Sequence, residues 1–180
     1  MKILVHTCCG PCLIHPLEVL TSRGYEVVPY FYNPNIHPYT EYKKRYFTAL
    51  DFCQKHGLEM RSGPYDMERF LLEISPRVQR RCERCFEIRL QMTAIQARLL
   101  RIELFTTTLL ASPYQDQELL RVKGELCAIE NGVMFHFEDF SDGYRESISK
   151  SRELGMYRQA YCGCVYSEKE RYQKSDPPKR

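Results

Sequence analysis

The chain has 180 residues, with 26 Lys and Arg against 23 Asp and Glu, giving a formal net charge of +3. That length predicts one domain whose core stands without crosslinks, and no apolar run reaches the roughly 18 residues a membrane helix needs. Met1-Lys2-Ile3-Leu4-Val5-His6 lacks the long apolar segment of a signal peptide, so a cytoplasmic chain with no membrane partner is expected.

The apolar run Ile3-Leu4-Val5 within 1–7 predicts a buried parallel strand. Leu13, Pro16, Leu17 and Leu20 have helical spacing, and Arg23-Gly24 closes that helix. Cys8, Cys9 and Cys12 fall at the strand-to-helix turn. Residues 26–32 predict a second strand, ending in the turn Asn33-Pro34-Asn35-Ile36-His37-Pro38. A helix over 39–56 follows, with Tyr42, Tyr46 and Leu50 near i, i+4 spacing and Gly57 as its stop. Residues 58–61 read as a short third strand and 66–72 as a helix, which Ser75-Pro76 interrupts. A long helix over 83–100 carries Cys85 in its first turn. The β-branched run over 104–110 predicts a fourth strand ending at Ala111-Ser112-Pro113-Tyr114. Residues 117–131 predict a helix, and the alternation over 133–140 a fifth strand. Residues 141–158 read as helical or loop-like, Tyr161-Cys162-Gly163-Cys164 closes the ordered part, and Asp176 to Arg180 reads as a frayed end.

Strands alternating with helices predict an α/β fold, a doubly wound parallel sheet of about five strands with right-handed crossovers. In such sheets ligands bind at the carboxyl ends of the strands. Cys8 and Cys9 follow the first strand, 33–38 the second, and Ser112 to Asp116 the fourth, so all three loops face one crevice. We expect a single metalloenzyme domain over 1–167 and a basic tail over 168–180.

Nine cysteines, an odd number in a reducing compartment, argue for metal or redox chemistry over a disulfide scaffold. Most are grouped, as Cys8-Cys9 with Cys12, Cys82-Glu-Arg-Cys85 and Cys162-Gly-Cys164. Cys9-Gly10-Pro11-Cys12 has the residues of a thioredoxin-type site at a helix N-terminus, where the dipole lowers a thiolate pKa. The chain has no Trp to precede it, and a dithiol exchanger has no use for the other pairs. Cys8, Cys9, Cys82 and Cys85 make the four thiolates that a 4Fe-4S cluster takes; a zinc site satisfies the same count. Cys162 and Cys164 are left as a redox pair, ligands of a second iron or other metal, or cluster ligands in place of Cys8 or Cys12. Cys53 and Cys127 read as core fillers.

Charge is unevenly placed. Arg77, Arg80, Arg81, Arg84 and Arg89 surround Cys82 and Cys85, and Lys169, Arg171, Lys174, Lys179 and Arg180 crowd the end. Such clusters suit a phosphate-facing surface, or alternatively a solvated helix face.

Taken jointly, His6-Thr7-Cys8-Cys9-Gly10-Pro11-Cys12, the loop 32–38 with Glu41, Tyr42 and Arg45, Cys82-x-x-Cys85 with Arg89, Ser112-Pro113, and Tyr157-Arg158-Gln159-x-Tyr161-Cys162-Gly163-Cys164 resemble the cobalamin-independent epoxyqueuosine reductases. The match runs from Lys2 to about Ser167. The resemblance implies a fold similar to the nucleotide α-hydrolase type and reduction of epoxyqueuosine to queuosine at the wobble position of a tRNA. Relatives that use ATP carry a Ser-Gly-Gly-rich loop after the first strand; cysteines stand there in this chain, so neither ATP nor cobalamin is expected. The resemblance also implies a 4Fe-4S cluster on Cys8, Cys9, Cys82 and Cys85, with Cys162 and Cys164 as a redox pair, a tRNA carrying epoxyqueuosine as partner, and an external electron donor.

Opening an epoxide to an alkene takes two electrons and two protons and releases water, which requires a proton donor within hydrogen-bond reach. His6, Glu41, Tyr114 and Asp116 lie near strand ends; Tyr114 and Asp116 join Cys162 and Cys164 as expected catalytic groups. Substrate contacts are expected at Asn33, Asn35, Tyr42, Arg45, Arg80, Arg81 and Ser112, and Tyr32, Tyr39 and Tyr42 suit stacking on a base. The other function classes open to these residues are a zinc-stabilised RNA-binding module and a thiol-disulfide oxidoreductase.

Overall fold

The computed structural model describes residues 1–173. The strands are β1 (Lys2–His6), β2 (Glu26–Phe31), β3 (Arg61–Ser62), β4 (Leu104–Thr107) and β5 (Met134–Phe135). The helices are α1 (Gly10–Ser22), α2 (Tyr39–Lys55), α3 (Met67–Ile74), α4 (Arg81–Leu99), α5 (Gln117–Asn131), α6 (Tyr144–Glu153) and α7 (Val165–Tyr172). All pairings are parallel, in the order β3-β2-β1-β4-β5. The chain therefore winds outward from β1 to β3, then returns past β1 to start again at β4. The point of reversal lies between β1 and β4, where open α/β sheets leave a crevice beyond the carboxyl ends.

β1 sits in the middle because it is apolar on both faces. Ile3, Leu4 and Val5 are completely buried, and so are Phe105 and Thr106 of its neighbour. Right-handed crossovers place the helices on the two sides: α1 packs on α2 and α6, while α4 packs on α5 and beneath β1 and β4. A second small cluster of Phe31, Ile36, Tyr42 and Ala49 lies under α2. No described helix is long and apolar enough to cross a membrane.

Several boundaries differ from the sequence reading. The fourth strand stops at Thr107 instead of Leu110, because the Thr107 hydroxyl accepts from the Leu109 amide and turns Thr108–Ala111 into a 3-10 helix. A β-branched run is a strand only where a neighbour continues the ladder. The alternation over 133–140 forms ladder only at Met134–Phe135; beyond it the segment is tied by single bonds, His136 N to Phe105 O and Phe140 N to Leu110 O. The third strand is Arg61–Ser62, later than expected. The helix α4 begins at Arg81, after a 3-10 turn over Ser75–Arg80, which brings Cys82 into its first turn and leaves Cys85 just beyond it. The ordered part does not end at Cys164: that residue caps α7, its Sγ accepting from the Ser167 amide at 3.4 Å. This helix crosses the expected boundary at 167, and the end over 176–180 lies outside the described residues.

Candidate active site

The turn from β1 into α1 is built by its own thiols. Cys9 is the N-cap, with extended backbone (φ −169°, ψ 163°), and its Sγ accepts from the Cys12 amide at 3.3 Å. Pro11 fills one of the first positions, where its missing N–H costs nothing. Thr108, from the turn after β4, reaches across the switch point. The Cys8 amide donates to its Oγ1 at 3.0 Å, and the Thr108 hydroxyl donates to the Cys8 Sγ at 3.3 Å. The result is a trio, Cys8, Cys9 and Cys12, with sulfurs within 4.8 Å of one another.

The three thiols are not equivalent. Hydrogen bonds from Cys12 and then Cys9 hold the Cys8 thiol well below the ordinary range, with Thr108 adding to them. Burial pushes Cys9 up, and Cys12 is raised chiefly by the hydrogen bond it donates to the Cys8 sulfur. Cys8 is thus the first thiolate of the trio, at the N-terminus of a helix whose first turn holds no acidic residue. Gln159 closes the trio from above, its Nε2 lying 3.2 Å from the Cys9 sulfur and 3.6 Å from that of Cys12.

Cys82, Cys85 and Arg89 follow one another on α4 at spacings that share a helix face. Cys82 is exposed and Cys85 buried; burial pushes the Cys85 thiol up to about 12, against the pull of Arg89. Arg89 is itself 1% exposed, and its Nε donates to the Cys85 carbonyl at 3.1 Å. Burial disfavours its charge, an effect that Cys85, Cys162 and Cys8 more than offset. One guanidinium therefore stands among thiols from β1, α4 and the C-terminal segment. The compact trio differs from the expected metal set: it contains Cys12 and lacks Cys82 and Cys85.

The C-terminal segment is strapped over the crevice by a buried ion pair on α2. Arg45 Nε donates to Glu41 Oε1 at 2.7 Å, Nη1 to the Cys162 carbonyl at 2.7 Å and Nη2 to the Tyr161 carbonyl at 3.0 Å. The Tyr157 hydroxyl donates to the other Glu41 oxygen, and the Tyr161 hydroxyl to the His37 carbonyl. The His37 amide then donates to the Gly163 carbonyl at 2.8 Å. Gly163 adopts φ +151°, a conformation reserved for glycine. Loop 33–38 and strap 157–164 are in this way one unit, with Cys162 at its exposed rim.

The other expected site residues fall as follows. Arg45 is buried with its donors committed to Glu41 and the strap. Tyr42 is buried among Phe31, Tyr39, Tyr46 and Tyr65. Asn33 donates to the Thr7 carbonyl at 2.9 Å, and the Oδ1 atoms of buried Asn33 and Asn35 have no partner among the described residues. Arg80 is exposed beside Glu83, whereas Arg81 pairs with Glu170 and lies over the Tyr166 ring, joining α4 to α7. Ser112 accepts from the Tyr114 amide, and Asp116 caps α5 by accepting from Leu119 at 2.9 Å. Tyr114 is 80% exposed, edge-on to Tyr144 at 5.8 Å. His6 is buried, with Nδ1 2.8 Å from Thr107 Oγ1 and Nε2 3.1 Å from the Tyr32 carbonyl. Burial lowers its pKa to about 4, so it is neutral at pH 7. Sequence reasoning missed Thr108 and Tyr144 and named Gln159 within the 157–164 motif without giving it a role. The Tyr144 phenol is held protonated by burial and by Tyr114, Cys12 and Cys9, and no local pattern marks it.

A five-stranded parallel sheet with a thiol trio at its switch point defines an α/β protein with a thiol-centred site at the carboxyl edge of the sheet. The sequence profile of the family described as epoxyqueuosine reductase QueH matches residues 3–170, and the chain belongs to that family. It is 36% identical over 178 residues to the epoxyqueuosine reductase QueH of Dehalococcoides mccartyi, covering 98% of each chain. To that of Thermotoga maritima it is 38% identical over 183 residues, covering 96% of this chain and 93% of the relative. Among solved structures, the predicted subunit of a tRNA methyltransferase from Methanocaldococcus jannaschii superposes with TM-score 0.53 at 11% identity, covering 84% of this chain and 75% of the other. That likeness concerns the fold alone.

Proposed function

We propose that the chain reduces epoxyqueuosine in tRNA to queuosine, with a thiolate-ligated iron-sulfur centre in the crevice between β1 and β4. The observation that carries this reading is the packing of Cys8, Cys9 and Cys12 within 4.8 Å of one another at the switch point of the sheet. Soft thiolates suit iron-sulfur or zinc ligation, and the low pKa of Cys8 provides the deprotonated donor that ligation needs. Cys8, Cys9 and Cys12 would hold the group, with Cys85 completing the set beside Arg89. Once bound, the centre would supply electrons singly and polarise the substrate oxygen.

The chain's own residues do the rest. The epoxide oxygen leaves as water when two electrons from an external donor and two protons have been added. Tyr144 and Tyr114, phenols on the α6 side of the trio, stand as proton donors. Cys162 and Cys164 form the redox pair at the rim, and the strap through Arg45 keeps them over the crevice. Gln159 and Thr108 orient the sulfurs and keep water from them. Arg80 and Arg77, in the 3-10 turn before α4, face the anticodon-loop phosphates.

The test is iron and sulfide content of anaerobically prepared protein, followed by turnover of epoxyqueuosine-containing tRNA with a chemical reductant. About four of each per chain is expected, together with conversion to queuosine. Zinc alone, or iron without conversion, would overturn the proposal. Cys85→Ala should lose the iron, and Cys164→Ala should keep it but stop turnover.

A further inference from the structure

We propose that Arg89 is the built-in counter-charge of the thiol crevice, a positioning residue whose buried guanidinium is left without a carboxylate so that the anionic metal complex that Cys8, Cys9, Cys12 and Cys85 would form balances it. The argument begins from cost. A guanidinium stays charged in a protein, and taking such a charge out of water without a partner costs several kcal/mol. Arg89 heads the fully buried side chains by volume. It makes no ion pair with any carboxylate among the described residues, and its Nη2 has no hydrogen-bond partner there. Its contacts are the Cys85 carbonyl and the ring of Phe86, 5.7 Å away.

Arg45 provides the contrast within the same molecule. It is equally buried, yet the fold supplies it with Glu41 at 2.7 Å and two carbonyls. The groups whose anions would favour the charge of Arg89 are Cys85, Cys162 and Cys8, one from each of the three thiol groupings. His6 beside it is neutral, its protonation further disfavoured by Arg89, so no second cation competes. Helical spacing sets the geometry: residues 82, 85 and 89 lie on one face of α4, directing the guanidinium to the same side as the two thiols. A fixed positive charge in this poorly solvated place favours each added negative charge. It therefore favours thiolate ligation, and it favours arrival of an electron at a centre bound there.

The inference rests on the reading above for its metal arm. The experiment compares wild type with Arg89→Lys, which keeps the charge, and with Arg89→Met and Arg89→Gln, which remove it. Each is melted metal-free and after anaerobic loading with ferrous iron and sulfide, and the midpoint potential of the loaded proteins is read by spectroelectrochemistry. The neutral variants should show a more negative potential and a smaller gain in melting temperature on loading, while Arg89→Lys follows wild type. Neutral variants that fail to fold while Arg89→Lys folds would overturn the proposal, since the metal-free chain would then depend on a charge argued to cost it stability. An unchanged potential in Arg89→Met, or Arg89→Lys failing as Arg89→Met does, would overturn the proposal, since shape and not charge would then matter. A wild type that takes up neither iron nor sulfide refutes the cluster reading instead. The metal-free melting order then decides: neutral variants above Arg89→Lys, relieved of an unbalanced buried charge, support the proposal, and all three alike or neutral variants below it overturn it.

Discussion

At the scale of single residues, the molecule handles the buried arginines Arg45 and Arg89 in opposite ways, and this separates architecture from chemistry. Arg45 is fully paired, so its substitution is read as stability. Arg45→Ala strands Glu41 in a buried site and frees two carbonyls, a loss of about 3–5 kcal/mol by the usual penalty for breaking a buried pair. At roughly 2–4 °C per kcal/mol for a chain of this size, the melting temperature should fall by on the order of 10 °C. Arg45→Lys, which keeps the charge but not the three-way geometry, should fall between; an Arg45→Ala protein that melts with wild type would dissolve the strap. Cys12 is the complementary case. Cys12→Ala should cost little in folding yet lose bound iron or zinc in metal analysis, whereas Cys53→Ala, in the apolar core, should retain it. Cys12 was visible in the sequence as part of a turn motif, but its rank among nine thiols came only from its sulfur lying within 4.8 Å of those of Cys8 and Cys9.

At the scale of elements, two short irregular segments carry the site. The 3-10 turn after β4 brings Thr108 to Cys8, and Thr108→Val keeps the shape while leaving the Cys8 amide unpaired, a penalty of about 1–3 kcal/mol readable by urea unfolding. The strap depends on Gly163. A Cβ there would meet Asn35 Nδ2 at 3.0 Å, in a backbone conformation L side chains rarely adopt. Gly163→Ala should cost about 1–3 kcal/mol and speed tryptic cleavage after Arg158, with the remaining core bands unchanged; equal cleavage rates would show the strap to be held without it. Regular elements were legible in the chain because their signals are local: the run Ile3-Leu4-Val5, the Gly57 stop, the spacing along α4. The 3-10 turn hid inside a β-branched run, and the strap hid because its anchor, Arg45, is 116 residues from Tyr161.

For the whole molecule, the trio stands at the turn after β1 and Cys85 on α4, so a metal bound by them should act as a crosslink. Binding to the folded state alone stabilises it by mass action, about 2.7 kcal/mol at a hundredfold excess over Kd. Removal of the metal with a chelator should therefore lower the melting temperature of wild type and leave Cys12→Ala unchanged. If tRNA docks on the face around Arg77 and Arg80, replacing both should weaken binding and flatten its salt dependence; an unchanged slope would place the RNA surface elsewhere. By itself the sequence determined the alternation of strands and helices, the place of the thiols at the carboxyl edge and the family, since each depends on local pattern and motif order. Only the tertiary structure decided which thiols share a pocket, that Arg45 holds the strap, and that Arg89 has no carboxylate. Those depend on distances between residues far apart in the chain, set by how helices of given length settle on a twisted sheet and by the cost of leaving a buried charge alone.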